Sequence, residues 1–80
     1  MSDERFKNYI YDLGVLIKES AELAKAEKDA SQEANADTYK LGYLMALHDV
    51  VSLMKEQADV FGIEQCLIGL DDIDPESELL

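Results

Sequence analysis

Eighty residues with a formal net charge of −11 and a single cysteine describe one domain, too small to rely on a deep core. Chains of this size bury only roughly 60–65% of their unfolded surface, and Cys66, being alone, excludes an internal disulfide and any cysteine-built zinc site. The acidity disfavours phosphate backbones and anionic lipid headgroups as partners and favours a basic protein or metal cations, although it also simply keeps a helical protein in solution.

The opening residues MSDERFKNY are charged and lack the apolar core of a signal peptide. No apolar run approaches the ~20 residues that span a bilayer, the longest candidate being interrupted by His48 and Asp49. With an unpaired thiol suited to a reducing compartment, a cytoplasmic protein with no nucleic acid and no membrane among its partners is the expectation.

Ser2 is the expected cap of a first helix, with Asp3 and Glu4 in a turn where carboxylates suit the helix dipole. Phe6, Tyr9, Ile10, Leu13, Leu16, Ile17, Leu23 and Ala24 then recur at helical spacing, over an arc of about 160°. From position 20 to 34 the apolar side chains shrink to alanine except at Leu23, so this end either packs closely or packs loosely. Lys18–Glu22 and Lys25–Asp29 are spaced as i,i+4 ion pairs. Gly14 interrupts the helix at a cost of about 1 kcal/mol relative to alanine, which a close helix contact would explain.

Residues 31–38 lose the apolar rhythm, and Asn35 or Asp37 is the expected cap of the next helix. A bend belongs here; one continuous helix is the alternative, because neither proline nor glycine marks the break. The second helix runs from Tyr39 to Phe61, and its apolar side chains cover roughly 200°, leaving His48, Asp49, Ser52, Lys55, Glu56 and Asp59 as its polar strip. One antiparallel neighbour covers about half of such an arc, so a second copy of the chain is expected to cover the rest, with Tyr43, Leu44, Leu47, Val50, Val51, Met54 and Phe61 at the interface.

Gly62 sits where a left-handed glycine ends a helix, and Ile63 can fold back onto Ala58 as in a Schellman motif. Residues 64–68 can form one short helical turn ended by Gly69. Beyond it Leu70, Ile73 and Leu79 are separated by acids, no basic residue follows Lys55, and Pro75 forbids helix continuation past Asp74. An extended tail whose leucines dock while its carboxylates stay wet is expected, disorder of the last residues being equally consistent.

Few residues carry chemistry. His48 is the only histidine and reads as a solvated surface residue, since Asp49 points about 100° away on the same helix and cannot orient it. Cys66, next to Leu67 and Ile68, reads as a buried small hydrophobe whose acidic surroundings raise its pKa. The alternating acids from Asp72 to Glu78 have Ser77 where a calcium loop needs glycine. There is no glycine-rich phosphate cradle, nucleophile elbow or pair of metal-binding histidines.

Ile17-Lys18-Glu19-Ser20-Ala21-Glu22-Leu23, followed by Asp49-Val50-Val51, resembles the all-alpha nucleotide pyrophosphohydrolases of the MazG-like group over about thirty residues. The resemblance implies a helical dimer in which E-x-x-E on one helix and E-x-x-D on another hold magnesium against a nucleoside triphosphate. Glu19 and Glu22 match the first pair and Asp49 the last acid, while Ala46 stands where the remaining ligand belongs. On a helical wheel Glu22 lies about 180° and Glu19 about 120° from Leu13, outside the arc their helix buries, whereas a four-helix metal site needs its carboxylates aimed inward.

The sequence therefore predicts an all-α chain: a two-helix antiparallel hairpin over residues 1–70 with a short C-terminal helical turn, and an acidic tail over 71–80, dimerising into a four-helix bundle. The expected function is that of a small, acidic, non-enzymatic protein-interaction module (an inhibitor, immunity-type or accessory protein) without a cofactor, acting as a homo-oligomer. Asp71, Asp72, Asp74, Glu76 and Glu78 are its candidate contacts to a basic partner. The alternatives are a divergent MazG-like pyrophosphohydrolase with magnesium on Glu19, Glu22 and Asp49, and a structural subunit of a larger assembly.

Overall fold

Alanine and glycine on the inner face of the first helix set the architecture, because they let everything else come close. The computed structural model describes residues 2–30 and 38–79. It contains α1 (Ser2–Ala30), α2 (Thr38–Val60), a 3₁₀ turn (Gln65–Ile68) and a single-turn α3 (Pro75–Glu78), with no strand among the described residues. Ser2, expected as the cap of α1, is already its first helical residue. The expected bend and the caps at Asn35 and Asp37 lie outside the described residues.

The two long helices pack as an antiparallel hairpin. Ile10 near the start of α1 lines one groove with Met54, Ala58 and Phe61 near the end of α2, and Ala24 near the end of α1 meets Tyr39 and Tyr43 near the start of α2. The alanine stretch of α1 packs closely: Ala21 and Ala24 are buried, in one core with Leu44 and Val51 of α2.

The end of α2 is the expected Schellman motif. Gly62 is left-handed at φ 69°, the Ile63 N–H donates to the Ala58 carbonyl at 2.8 Å, and the Gly62 N–H donates to Asp59 at 3.1 Å. The same motif closes the 3₁₀ turn, where Gly69 has φ 72°, the Leu70 N–H donates to Gln65 at 3.1 Å and the Gly69 N–H to Cys66 at 3.3 Å.

The segment after Gly69 is not an extended tail. Asp74 caps a helical turn with Pro75 at its first position: its carboxylate accepts the Glu76 N–H at 3.2 Å, and Glu78 in return accepts the Asp74 N–H at 2.6 Å. The expected docking of the apolar residues holds. Leu70, Ile73 and Leu79 are buried, and with Ile68 they belong to the same core as Ala21, Leu44 and Val51. Among the described residues the segment thus supplies most of the bulk that the alanine-rich face of α1 lacks.

Gly14 explains how the segment comes so near. A Cβ at Gly14 would lie 1.6 Å from the Ile68 carbonyl oxygen, and one at Gly69 would lie 2.8 Å from Val15 Cγ2 and 3.0 Å from the Tyr11 carbonyl oxygen. Backbone therefore touches backbone across this contact, and only glycine fits on either side. Gly42 on α2 has nothing within 4 Å of its missing Cβ. Gly14→Ala is expected to destabilise by about 2 kcal/mol or more, overpacking outweighing the gain in helix propensity. Gly42→Ala is expected to stabilise by up to about 1 kcal/mol. Urea unfolding followed by circular dichroism, at one protein concentration, checks the pair; shifts of the same sign would refute the close contact.

Candidate interaction surfaces

The three acids that the pyrophosphohydrolase resemblance assigns to magnesium do not converge. Glu19, Glu22 and Asp49 are all exposed, and among the described residues no three histidine, cysteine, aspartate or glutamate side chains are grouped closely enough to hold a metal ion.

His48 is not the solvated residue expected. Its side chain is only 17% exposed, Nδ1 lies 3.4 Å from Asp49 Oδ1, and Nε2 is shielded from solvent with no hydrogen-bond partner among the described residues. Position 48 is next to the partly buried Leu47 on the same helix, so the polar strip of an isolated helix is partly covered in the folded chain. Cys66 departs from expectation in the other direction, being exposed. Partial desolvation pushes its thiol pKa up, and the Glu64 carboxylate, 3.7 Å from Sγ, adds to the shift.

The acidic segment is partly committed inside the chain. Lys18 Nζ lies 3.0 Å from both carboxylate oxygens of Asp72 rather than serving the expected i,i+4 pair with Glu22, and Lys55 Nζ donates to the Ile73 carbonyl. Asp74 and Glu78 cap α3. Of the five candidate contacts to a basic partner, Asp71 and Glu76 are exposed and show no such internal use of their carboxylates. The expected Lys25–Asp29 pair is present at 3.2 Å.

The largest unassigned feature is apolar. Of the seven residues expected to face a second copy, Leu44 and Val51 are buried within their own hairpin and Leu47 and Met54 pack against that core, whereas Tyr43, Val50 and Phe61 are exposed. Phe6, Leu16 and Leu53 are 67%, 59% and 59% exposed. These side chains follow a pattern. On α1 the positions Phe6, Tyr9, Leu13, Leu16, Ser20 and Leu23, and on α2 Tyr39, Tyr43, Ala46, Val50, Leu53, Gln57 and Val60, alternate steps of three and four residues, the spacing of a helix-packing seam. Each helix also carries a second seam of the same spacing, Ile10, Gly14, Ile17, Ala21 and Ala24 on α1 and Leu44, Leu47, Val51, Met54 and Ala58 on α2, which, apart from the exposed Ile10, forms the hairpin interior.

The outer seam precedes the inner one by about 90° on α1 and about 110° on α2. Because the helices are antiparallel, rotations of the same sense bring both outer seams to the same side of the hairpin. The C-terminal segment lies on the other side, reaching Tyr11, Gly14, Val15 and Lys18 on α1 and Lys55 on α2. At one end, Ile10, Met54, Ala58, Phe61, Ile63 and Ile68 line an apolar groove of about 240 Å³. At the other, the Tyr39 and Tyr43 rings stack with centroids 6.4 Å apart.

No helix among the described residues is long and apolar enough to cross a membrane. No protein-family model, curated protein or solved structure matches this chain.

The Lys18–Asp72 pair gives a pH signature. Its hydrogen bond to Lys18 holds the Asp72 carboxyl below the usual carboxylate range, and the same bond raises the Lys18 ammonium. A carboxyl depressed in the folded state contributes stability above its unfolded value, near about pH 4, and loses it as pH falls through the folded value. The raised lysine contributes below its own unfolded value, near about pH 10, and loses it as pH rises further. Asp72→Asn is therefore expected to unfold at lower urea than the parent at pH 7, with the gap closing as the pH is brought to about 2.5. A gap of equal size at both pH values would show that this pair does not hold the segment.

Proposed function

We propose that this chain is a small, non-enzymatic protein-interaction module that works as a homo-oligomer, two hairpins pairing into a four-helix bundle. The observation that carries the reading is the quantity of large apolar side chain left outside the hairpin, which Phe6, Leu16 and Leu53 exemplify. Single exposed leucines are ordinary; a run of them along both helices marks a contact surface. The remaining surface is acidic, with a net charge of −11, and is suited to a cationic partner such as the basic active site or groove that an inhibitor, immunity-type or accessory protein would block.

Sedimentation equilibrium on the intact chain tests the first half. A species of twice the 9.0 kDa chain mass is expected at micromolar concentration, and a well-folded monomer there overturns the homo-oligomer. The second half is tested on a partner co-purified from the native cells. Its affinity is expected to fall by about tenfold or more as salt rises from about 50 mM to about 500 mM, and an affinity unchanged by salt removes the electrostatic account.

A further inference from the structure

We propose that the second copy docks on the face formed by the two outer seams, opposite the C-terminal segment, through an isologous interface in which that face meets itself. The inference rests on the homo-oligomeric reading above and adds where the contact lies, which is not where the arc of α2 taken alone would put it.

Three observations name a second copy as the occupant. The first is area. The chain exposes 5838 Å², about 1,000 Å² more than the roughly 4,850 Å² of a compact monomer of its mass, and a stable interface covers about 800 Å² per partner. The second is placement: among the described residues, nine of the sixteen large apolar side chains left exposed fall on the two outer seams, although the seams are narrow stripes of a long molecule.

The third is charge. A two-fold interface brings the same face of both copies together, so an excess of acids on that face of a chain of net charge −11 would repel across it. From Phe6 to Leu23 and from Tyr39 to Val60 no seam position carries a charge. The outer seams also repeat the spacing with which α1 and α2 already pack against each other, so one hairpin offers the other the same ridges and holes that hold it together. An anionic membrane surface fits the apolar stripe but not the acidic flanks.

The test is sedimentation equilibrium on the full chain with three variants. Leu16→Glu and Leu53→Glu place a charge on the outer seam of each helix, and Glu19→Gln changes a residue off the seam. Each seam variant is expected to raise the dimer dissociation constant at least ~30-fold, and Glu19→Gln to leave it unchanged. A dimer that both seam variants leave intact overturns the proposed face while the homo-oligomer stands; a folded parent monomer overturns both. Should the seam variants fail to fold, hydroxyl-radical footprinting of the unmodified chain across a dilution series decides. Tyr9, Tyr43 and Leu53 are expected to lose protection on dilution while Ile73 and Leu79 keep theirs, and concentration-independent labelling of those seam residues in a sample that still dissociates overturns the face.

Discussion

The approach of the Ile68 carbonyl to Gly14 is the contact on which the rest of the structure depends. Glycine at positions 14 and 69 leaves no side chain between the two backbones and lets a 3₁₀ turn lie directly on α1. Gly69, left-handed at the next position, then redirects the chain so that Leu70 enters the core and Ile73 and Leu79 follow. The inner face of α1 offers glycine and alanine at Gly14, Ala21 and Ala24, too little volume to bury the large residues of α2 alone. The returning segment fills that deficit. Small side chains on one element and large ones on another are two halves of one packing solution, since interiors tolerate neither voids nor overlap.

A hairpin of two helices has two broad sides, and among the described residues one segment lies over one of them. Lys18, Asp72 and Lys55 fix that segment on one side at both helices. The other side keeps the outer seams, uncharged along their length in a protein where 31% of residues are charged. This division separates the molecule's interactions in space: the polar contacts that close the fold lie on one flank, and the apolar surface available to another molecule lies on the opposite one.

Much of this was legible in the amino acids. Gly62 followed by Ile63 announced the end of α2, whereas the loss of large side chains after Ser20 left close and loose packing open until Ala21 and Ala24 proved buried. The C-terminal segment was harder. Asp74-Pro75-Glu76 is a helix start, a capping residue with proline at the first helical position, but Pro75 read only as a stop hides it. His48, too, sits on a polar strip in isolation and is only 17% exposed in the folded chain. Leu44 and Val51 were assigned outward for a related reason. The wide apolar arc of α2 contains two distinct seams, and a wheel drawn for one helix does not say which seam its neighbour takes. Side-chain size on α1 does separate them, because Gly14, Ala21 and Ala24 lie on one seam, permit close approach there and leave the other seam over.

The placement of the acids sharpens the functional reading. Asp72 is paired with Lys18, and Asp74 and Glu78 satisfy the backbone of α3, so these carboxylates act first within the chain. A cationic partner that engages Asp72 competes with Lys18 for it. By linkage, whatever free energy the partner gains there is reduced by the loosening of the segment, and the segment's docking is weakened by the same amount. Asp71 and Glu76, exposed on the same segment, carry no such penalty. In the proposed reading, recognition of a basic partner and closure of the fold would draw on different carboxylates, the segment being held in place by its own lysine contacts together with Leu70, Ile73 and Leu79.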